Sequence, residues 1–431
     1  MIKKLKVPKQ AGWLIPGLQV KRWFLLIFIG AAVMTVGILM LFDLQPIFNT
    51  MQFIRKIATK ISTEWLAFAF IMFGAAIFFK GWTKTNLSIL DMDEDRNNDV
   101  LLENLYRRRK LNRGPRIVAV GGGTGLSMLL SGIKNITNNI TAIVTVGDDG
   151  GSSGKLRESL GILPPGDIRH CITALADDED LVNKLFKYRF DDGKCLEGHS
   201  FGNLFITALC EITGDMVSAV RASSRVLSIR GRVLPATLDD MKLVAEMEDG
   251  RIIHGESQIP EAHGKIKKLF TEPKHCKALP EVIDAIRNAE LIILGPGSLY
   301  TSVIPNLLIK EIAEEIAKSK AKKIYVCNIM TQPGETDNYK VSDHIKALIK
   351  HAGSSKIVDA VLVNNYLPEK PADKYQKSNS YPVILDTPEI KKMGIRICAK
   401  KLIEDNKEGL IRHSSNRVAR AIYYWFRKSS K

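Results

Sequence analysis

The chain has 431 residues, of which 45% are hydrophobic and 25% charged, so it can bury at least one full core and a mainly disordered protein is excluded. Its net charge of +16 is dispersed and accompanies no helix-turn-helix, zinc-finger or RNP-like pattern, so we expect no nucleic-acid partner. The six cysteines are scattered without metal-ligand spacing, which favours a reducing compartment over a disulfide framework.

Residues 1–84 predict a membrane anchor with two transmembrane helices. Residues 23–42 form an uncharged apolar run that can cross a hydrocarbon core of roughly 30 Å. A cleaved signal peptide is the alternative, but this apolar core is too long for one. A second, shorter run covers residues 65–82, with Trp65 and Trp82 at its ends. Basic flanks predict a multi-pass protein of the cell membrane, with both termini and the main domain in the cytoplasm.

Between the two runs, Ile54, Ile57, Ile61 and Trp65 stand at helical spacing and indicate an interfacial helix. Residues 85–113 predict a linker, in which an acidic stretch precedes a helical pattern that ends in four basic residues. The linker ends at residues 114–115, a Gly-Pro pair.

Residues 114–431 predict one α/β domain. Short β-branched runs alternate with helical patterns, which indicates a mostly parallel sheet with helices on both faces. Residues 225–273 depart from this alternation and predict a small β-rich insertion or lid, with a hairpin turn at Asp249 and Gly250. Residues 416–431 predict a helix that docks on the core or on the membrane surface, with a partner-binding tail as the alternative.

Three apolar strands of this domain run directly into glycine-rich loops. Strand, glycine loop and helix together form a typical phosphate site, because glycines let the backbone N–H groups approach an anion. All carboxyl ends of a parallel sheet share one edge, so the loops should converge on one ligand crevice. The candidate ligand-binding residues of these loops are Gly121, Gly122, Gly123, Thr124, Gly125, Asp148, Asp149, Gly150, Gly151, Ser152, Ser153, Gly295, Gly297 and Ser298.

The first of these loops is an imperfect dinucleotide fingerprint, since Leu126 stands where a third glycine would fall, and a merely tight turn is the alternative. Asp148 and Asp149 suit hydrogen bonds to ribose or sugar hydroxyls, or Mg²⁺ held near phosphate; ordinary turn residues are the other interpretation. Arg169 suits a phosphate contact or a buried pair with Asp167.

Further polar candidates come from two other segments. His199 and Asn203, four residues apart, could share a helical face and reach the same pocket, although a lone histidine is more often structural. Asn328 and Thr331 follow another strand and could supply amide and hydroxyl contacts. The sequence has no nucleophile elbow, Walker A lysine motif or HExxH pair, which disfavours hydrolases of those kinds.

The run from Gly121 to about Asn365 resembles the YvcK-type gluconeogenesis factors of the CofD-like superfamily. The resemblance lies in long motifs in the same order, namely GGGTGLS at 121–127, DDGGSSGKLR at 148–157, PPGDIR at 164–169, HSFGNL at 199–204, GPGSLYTS at 295–302 and NIMTQPGETD at 328–337. It implies a Rossmann-like core that binds UDP-sugars such as UDP-N-acetylglucosamine, with a role in cell shape and envelope synthesis on gluconeogenic carbon sources. It places Tyr300 against the nucleotide or sugar, with core packing as the alternative.

The related enzyme branch transfers a phospholactyl group from a guanosine-nucleotide donor to a deazaflavin, with Mg²⁺. This sequence is more similar to the non-enzymatic branch, chiefly in TQPGETD and GPGSLYTS. The resemblance therefore implies no catalytic residues and no required cofactor, with Mg²⁺ at Asp148 and Asp149 only for a transferase. Cell-wall synthesis proteins are the expected partners, and a homo-oligomer stays open. Members of the family are usually soluble, and residues 1–84 have no counterpart in the shared domain.

Overall fold

The computed structural model describes residues 28–30, 32–34, 45–58, a few positions between 65 and 80, and residues 109–429 except 191–196, 367–374, 376–378 and 405–410. The chain divides into two compact units, Met1–Lys110 and Leu111–Lys431.

The N-terminal unit contains helix α1, Gln45–Ala58, whose last turn carries the basic residues Arg55 and Lys56. The helix covers Ile54 and Ile57, for which the sequence predicts a helix. Most of the two predicted transmembrane segments and of the predicted linker lies outside the described residues. Among the residues that are described, no single helix is long and apolar enough to cross a membrane, and residues 201–213 and 216–226 reach that length only together, across a bend of 118°.

The described residues of the C-terminal unit form two sheets. Their strands are β1 Ile117–Gly121, β2 Ile140–Val144, β3 Arg232–Pro235, β4 Lys242–Met247, β5 Ile252–His254, β6 Ile266–Glu272, β7 Leu291–Leu294, β8 Lys322–Val326, β9 Ala360–Asn364 and β10 Arg396–Lys400. The large sheet has the order β10-β9-β8-β7-β1-β2-β3, and every neighbouring pair in it is parallel. The α/β class predicted from the sequence is therefore confirmed.

The helices of this unit connect the strands and cover the large sheet. They are α2 Gly123–Ile133, α3 Gly151–Leu160, α4 Gly166–Leu175, α5 Glu179–Lys187, α6 Phe201–Thr213, α7 Met216–Val226, α8 Gln258–Glu261, α9 Pro280–Arg287, α10 Ile304–Leu308, α11 Lys310–Lys318, α12 Val341–Ala352, α13 Thr387–Lys392 and α14 Ser415–Ser429. A π-helix, Leu299–Val303, precedes α10, and a 3₁₀ helix, Ser355–Ile357, precedes β9.

Alternate residues of each strand bury against opposite faces of the large sheet. In β1, Ile117 and Ala119 belong to one apolar cluster, whereas Val118 and Val120 belong to the other. Full burial of a large aliphatic side chain such as Ile117 contributes about 1.5–3 kcal/mol to stability, so this packing holds the edge of the sheet firmly in position. Because β1 lies beside both β2 and β7, the strand order reverses at β1 and β7, where ligands bind in open α/β sheets.

The inserted segment is smaller than the sequence predicts. Strands β4, β5 and β6 form a separate antiparallel sheet, and β4 and β5 make the predicted hairpin with Gly250 at φ +87°. The predicted insertion starts at Arg225, but residues 232–235 are strand β3 of the large sheet, where Val233 and Leu234 are buried beside β2. The inserted sheet therefore spans residues 242–272.

The C-terminal helix α14 packs on the core, one of the two positions predicted for it. Its buried face includes Val418, Ile422 and Trp425. The helix approaches α2 closely at Gly132, where a Cβ would lie 2.9 Å from the Cβ of Ala419. The glycine is therefore needed for this helix contact.

Candidate functional site

A cleft of about 980 Å³ opens at the carboxyl edge of the large sheet, beside β1, β7 and β8. It brings four of the predicted loops together, as the parallel arrangement requires. The predicted residues that line it are Gly122, Gly123, Thr124, Gly125, Asp148, Gly297, Ser298, Asn328 and Thr331. The size lies within the range of small-molecule and cofactor sites.

The glycine loop after β1 forms the floor of the cleft and begins helix α2. Gly122 is the N-cap of α2 and has no capping side chain, and Gly123 follows with φ +56°. A Cβ at Gly125 would lie 2.5 Å from the carbonyl oxygen of Pro296, so only glycine lets this loop meet the loop after β7. The amino end of α2 opens into the cleft, which is an anion-binding arrangement.

An acid that the sequence analysis did not select for the site, Asp167, lies against this glycine loop. A Cβ at Gly122 would collide with its carboxylate, and the backbone N–H of Gly123 stabilises its ionised form. Burial raises the pKa of Asp167 to about 7, and the nearby charge of Asp148 adds to the effect. Asp167 thus places an internal carboxyl group at the amino end of α2, where a ligand anion would also be stabilised.

A second acid that sequence reasoning missed reaches the cleft from the inserted sheet. Glu256 follows β5, and burial, together with the charge of Asp148, raises the pKa of its carboxyl group to about 8. Three carboxyl groups, Asp148, Asp167 and Glu256, therefore line the cleft near the glycine loop. With two pKa values near or above neutrality, this wall can donate as well as accept hydrogen bonds.

Asp149 has a different role from its neighbour Asp148. Its two carboxylate oxygens accept the backbone N–H groups of Glu256 and Ser257, each at 2.9 Å. It therefore latches the inserted segment to the large sheet, and it does not line the cleft. The predicted use of Asp148 and Asp149 as a matched ligand or Mg²⁺ pair does not fit this geometry. Across the described residues, no group of three or more His, Cys, Asp or Glu side chains is arranged to hold a metal ion.

Ser152, His199 and Asn203 are brought together, as the sequence predicts for the last two, but outside the lining of the cleft. The Ser152 hydroxyl lies 2.9 Å from Nδ1 of His199 and accepts Nδ2–H of Asn203 at 3.0 Å. The contacts join the amino ends of α3 and α6. Four further predicted glycines and one predicted serine also lie outside the lining, namely Gly121, Gly150, Gly151, Gly295 and Ser153.

Arg169 forms no ion pair with Asp167, one of the two contacts predicted for it, and its phosphate contact stays a prediction. Its buried guanidinium donates to the carbonyl oxygen of Phe186 at 3.2 Å and contacts the ring nitrogen of His170 at 2.7 Å. Burial, and then the nearby charge of Arg189, lowers its pKa. Since the side chain turns into the helical layer, it supports α4 and does not line the cleft.

Tyr300 also lies away from the cleft. It is 2% exposed, its hydroxyl lies 2.8 Å from that of Tyr339, and its ring packs edge-on against His351. The π-helix that follows the loop after β7 turns it inward, where burial raises its pKa far above the usual range. The structure thus places Tyr300 in core packing, the alternative to its predicted ligand contact.

Polar side chains tie the loops after β7 and β8 into one wall. The Gln332 amide donates to the Ser298 hydroxyl at 2.6 Å and accepts Nδ2–H of Asn328 at 2.9 Å. The Thr331 hydroxyl accepts the backbone N–H of Tyr381 at 2.9 Å, so the predicted Thr331 also anchors a later segment. This side of the cleft is therefore pre-organised.

The far end of the cleft comes from Tyr375, Ser380 and residues 411–413, which sequence reasoning missed. Tyr375, Ile411, Arg412 and His413 line it, together with Met330. The Tyr375 hydroxyl accepts the backbone N–H of Ile411 at 2.7 Å and donates to its carbonyl oxygen at 3.3 Å. Burial lowers the pKa of His413 to about 4, so its ring is neutral at physiological pH. The local sequence feature that could have indicated this end of the cleft is the adjacent pair Arg412 and His413, which does not follow a glycine-rich strand end.

Comparison with known proteins gives a family for this arrangement. Residues 117–403 match the family described as 2-phospho-L-lactate transferase CofD. The gluconeogenesis factor of Bacillus subtilis is 51% identical over 310 residues, which are 72% of this chain and 97% of that protein. A crystal structure of a Bacillus halodurans protein, 47% identical, superposes with a TM-score of 0.69 and covers 72% of this chain and 100% of its own.

A longer relative changes one expectation from the sequence. A putative gluconeogenesis factor of Nostoc sp. is 47% identical over 419 residues, 96% of this chain and 92% of its own length. Such coverage requires that the alignment extend into residues 1–84. The N-terminal segment is outside the matched CofD model but has a counterpart in this relative.

Proposed function

Since the chain belongs to the CofD-like family and, within it, to the gluconeogenesis factors, we propose that its C-terminal unit binds a UDP-sugar resembling UDP-N-acetylglucosamine. In this proposal the protein is a regulator that is needed for cell shape and envelope synthesis during gluconeogenic growth. The observation that carries the ligand proposal is the combination, in one cleft, of a glycine-rich helix start and a far end with aromatic, aliphatic and cationic side chains.

The parts of the cleft suit the parts of such a ligand. The diphosphate would lie at the amino end of α2, where backbone N–H groups and the helix dipole favour negative charge. Asp167 or Glu256, when protonated, would donate a hydrogen bond to a phosphate oxygen. Ile411, Tyr375 and Arg412 offer an apolar face, a ring and a guanidinium for the remaining part of the ligand.

A transferase that acts on a nucleotide-activated donor is the second candidate function. The description of the matched family and the three carboxyl groups beside the glycine loop favour it. Mg²⁺ would supply charge neutralisation for such a transfer. Asp149 is bonded to backbone N–H groups and is not free to pair with Asp148, so the described carboxylates do not fit the metal pair that this candidate needs.

Membrane attachment would serve the regulatory function. We propose that residues 1–84 hold the domain at the cytoplasmic face of the cell membrane, close to proteins of cell-wall synthesis. The apolar runs and basic flanks of the sequence support this proposal. Confinement beside membrane-bound partners would raise their effective concentration without any new contact.

Calorimetric titration of the full chain with UDP-N-acetylglucosamine, with and without Mg²⁺, tests the function. We expect saturable binding of equal strength in both conditions and no product by phosphorus NMR. Arg412→Gln should weaken binding about tenfold, the scale of one charged hydrogen bond. Lys242→Gln, which removes an equal charge from the exposed face of the inserted sheet, should not. Mg²⁺-dependent consumption of the donor would support the transferase, and failure to bind UDP- and GDP-linked ligands would refute both functions.

A further inference from the structure

A second cavity, of about 640 Å³, lies at the amino edge of the large sheet, opposite the cleft. The starts of β8 and β10, the residue before β9 and the end of α14 contribute to its walls. The proposed function does not involve this edge. Its size suits an organic ligand rather than a single water molecule.

Positive charge dominates the lining of this amino-edge cavity. Its cationic side chains are Lys320, Lys322, Lys323, Lys356 and Arg396. Among the described residues of the lining, one carboxylate is present, that of Asp359, which accepts the backbone N–H of Lys323 at 2.8 Å. Within the part of the chain that the structure describes, Lys320, Lys322, Lys356 and Arg396 form no salt bridge.

Helix α11 explains one of these cations and leaves four unexplained. The ammonium group of Lys323 donates to the carbonyl oxygen of Ser319, the C-cap of α11, at 2.8 Å, which is an ordinary use of lysine at a helix end. Burial lowers the pKa of Lys323, Asp359 opposes that shift, and the charges of Lys322 and Lys356 add to it. The other cations therefore increase the positive potential of the cavity without an ion-pair partner among the described residues.

Trp425 contributes an independent observation. Its side chain lines the same cavity and is 8% exposed, and among the described residues its indole N–H has no hydrogen-bond partner. Buried donors in folded proteins are nearly always paired with protein or with bound molecules. A ligand oxygen is the kind of acceptor that this donor lacks, and an anionic oxygen would also meet the surrounding cations.

We propose that the amino-edge cavity binds a small phosphate-bearing anion with two or more negative charges, separately from the ligand of the cleft. The cations would neutralise the phosphate groups, and the Trp425 N–H would donate to one of their oxygens. An anionic lipid headgroup carries the same chemistry, so the test distinguishes a soluble source from a membrane source. The proposal does not rest on UDP-sugar binding in the cleft.

Trp425 is also the probe for the test. The other tryptophans of the chain are Trp13, Trp23, Trp65 and Trp82, so residues 111–431 contain one tryptophan. This unit is compact, and the Bacillus halodurans protein, which it covers completely, folds without the N-terminal segment. Titration of the unit with inorganic pyrophosphate should change the Trp425 fluorescence saturably, beyond any change produced by sodium chloride of equal ionic strength.

Paired variants separate a built site from general charge attraction. Lys356→Gln with Arg396→Gln should weaken pyrophosphate binding by about tenfold or more, since each charged contact is worth about that factor. Lys242→Gln with Lys268→Gln removes the same charge from the exposed inserted sheet and should leave binding unchanged. Equal weakening by both pairs would overturn the proposal. The first pair should also keep its UDP-sugar affinity, so that failure at one site is distinguishable from failure at the other.

Vesicles of phosphatidylglycerol and phosphatidylcholine form the second arm, with pure phosphatidylcholine as control. A Trp425 response to pyrophosphate alone assigns the anion to a soluble source. A response to the anionic vesicles alone, lost in Lys356→Gln with Arg396→Gln, assigns it to a lipid headgroup. The absence of a saturable response to both probes would overturn the site.

Discussion

Replacement of Asp149 by alanine should destabilise the C-terminal unit far more than the same change at Asp148. Asp149 accepts the N–H groups of Glu256 and Ser257, 107 and 108 residues away, each at 2.9 Å. A hydrogen bond to a charged group contributes about 1.5–3 kcal/mol, and two would contribute about 3–6 kcal/mol if fully buried. Because Asp149 is only half-buried, we expect a loss of about 2–4 kcal/mol in the free energy of unfolding.

Urea unfolding of residues 111–431, followed by Trp425 fluorescence, measures this difference. Asp148→Ala is the matched control, because the Asp148 carboxylate accepts only the local backbone N–H of Gly150, at 3.0 Å, among the described residues; this change should cost about 1 kcal/mol or less. Hydrogen exchange at the amides of Glu256 and Ser257 should accelerate in the Asp149 variant alone. Equal stability of the two variants, or unchanged protection of both amides, would refute the assignment of Asp149 as the latch.

Three further predictions concern other parts of the chain. Burial raises the pKa of Asp167 from 3.8 to about 7, so the folded state favours its protonated form. The resulting contribution to the free energy of unfolding is fully present below pH about 4 and is lost as the pH rises to about 7. Asp167→Asn should therefore flatten the pH dependence of stability measured by urea unfolding. Tyr300→Phe should lower the free energy of unfolding by about 1 kcal/mol and leave the calorimetric affinity for the UDP-sugar unchanged. Tyr375→Ala should weaken that affinity. The reverse pattern would return Tyr300 to the ligand site. Reporter fusions at residue 10 and at the C-terminus should be active in the cytoplasm while residues 43–63 are labelled from outside, and release of the protein by carbonate washing would contradict the membrane anchor.

Local patterns were sufficient to identify the fold class and the loops of the cleft. The strand β1, its glycine loop and helix α2 are consecutive in the chain, so their residue types alone specify a phosphate-type turn. Buried runs alternating with helical patterns indicate a parallel sheet, and a parallel sheet collects its loops at one edge. The motifs that place the chain in its family are likewise continuous stretches of sequence.

The direction of single side chains was beyond the reach of those patterns. Asp148 and Asp149 are adjacent and chemically equal, yet one lines the cleft and the other binds a backbone more than 100 residues away. Tyr300 follows a cleft loop, but the π-helix and Tyr339 place it in the core. Such choices depend on which distant segment supplies a partner, and one sequence does not contain that pairing.

Composite sites depend on tertiary structure in the same way. Glu256 reaches the cleft only because the inserted sheet is latched beside β2, and Arg412 only because residues 411–413 lie at the same edge. At the opposite edge, Lys322, Lys356 and Trp425 are far apart in the chain and meet where strands start and a C-terminal helix ends. The sequence by itself determined the elements and their repeating loops, because hydrogen bonding and burial act locally along each element. The tertiary packing decided which charged and aromatic groups share a cavity, because that depends on contacts between segments that no local pattern encodes.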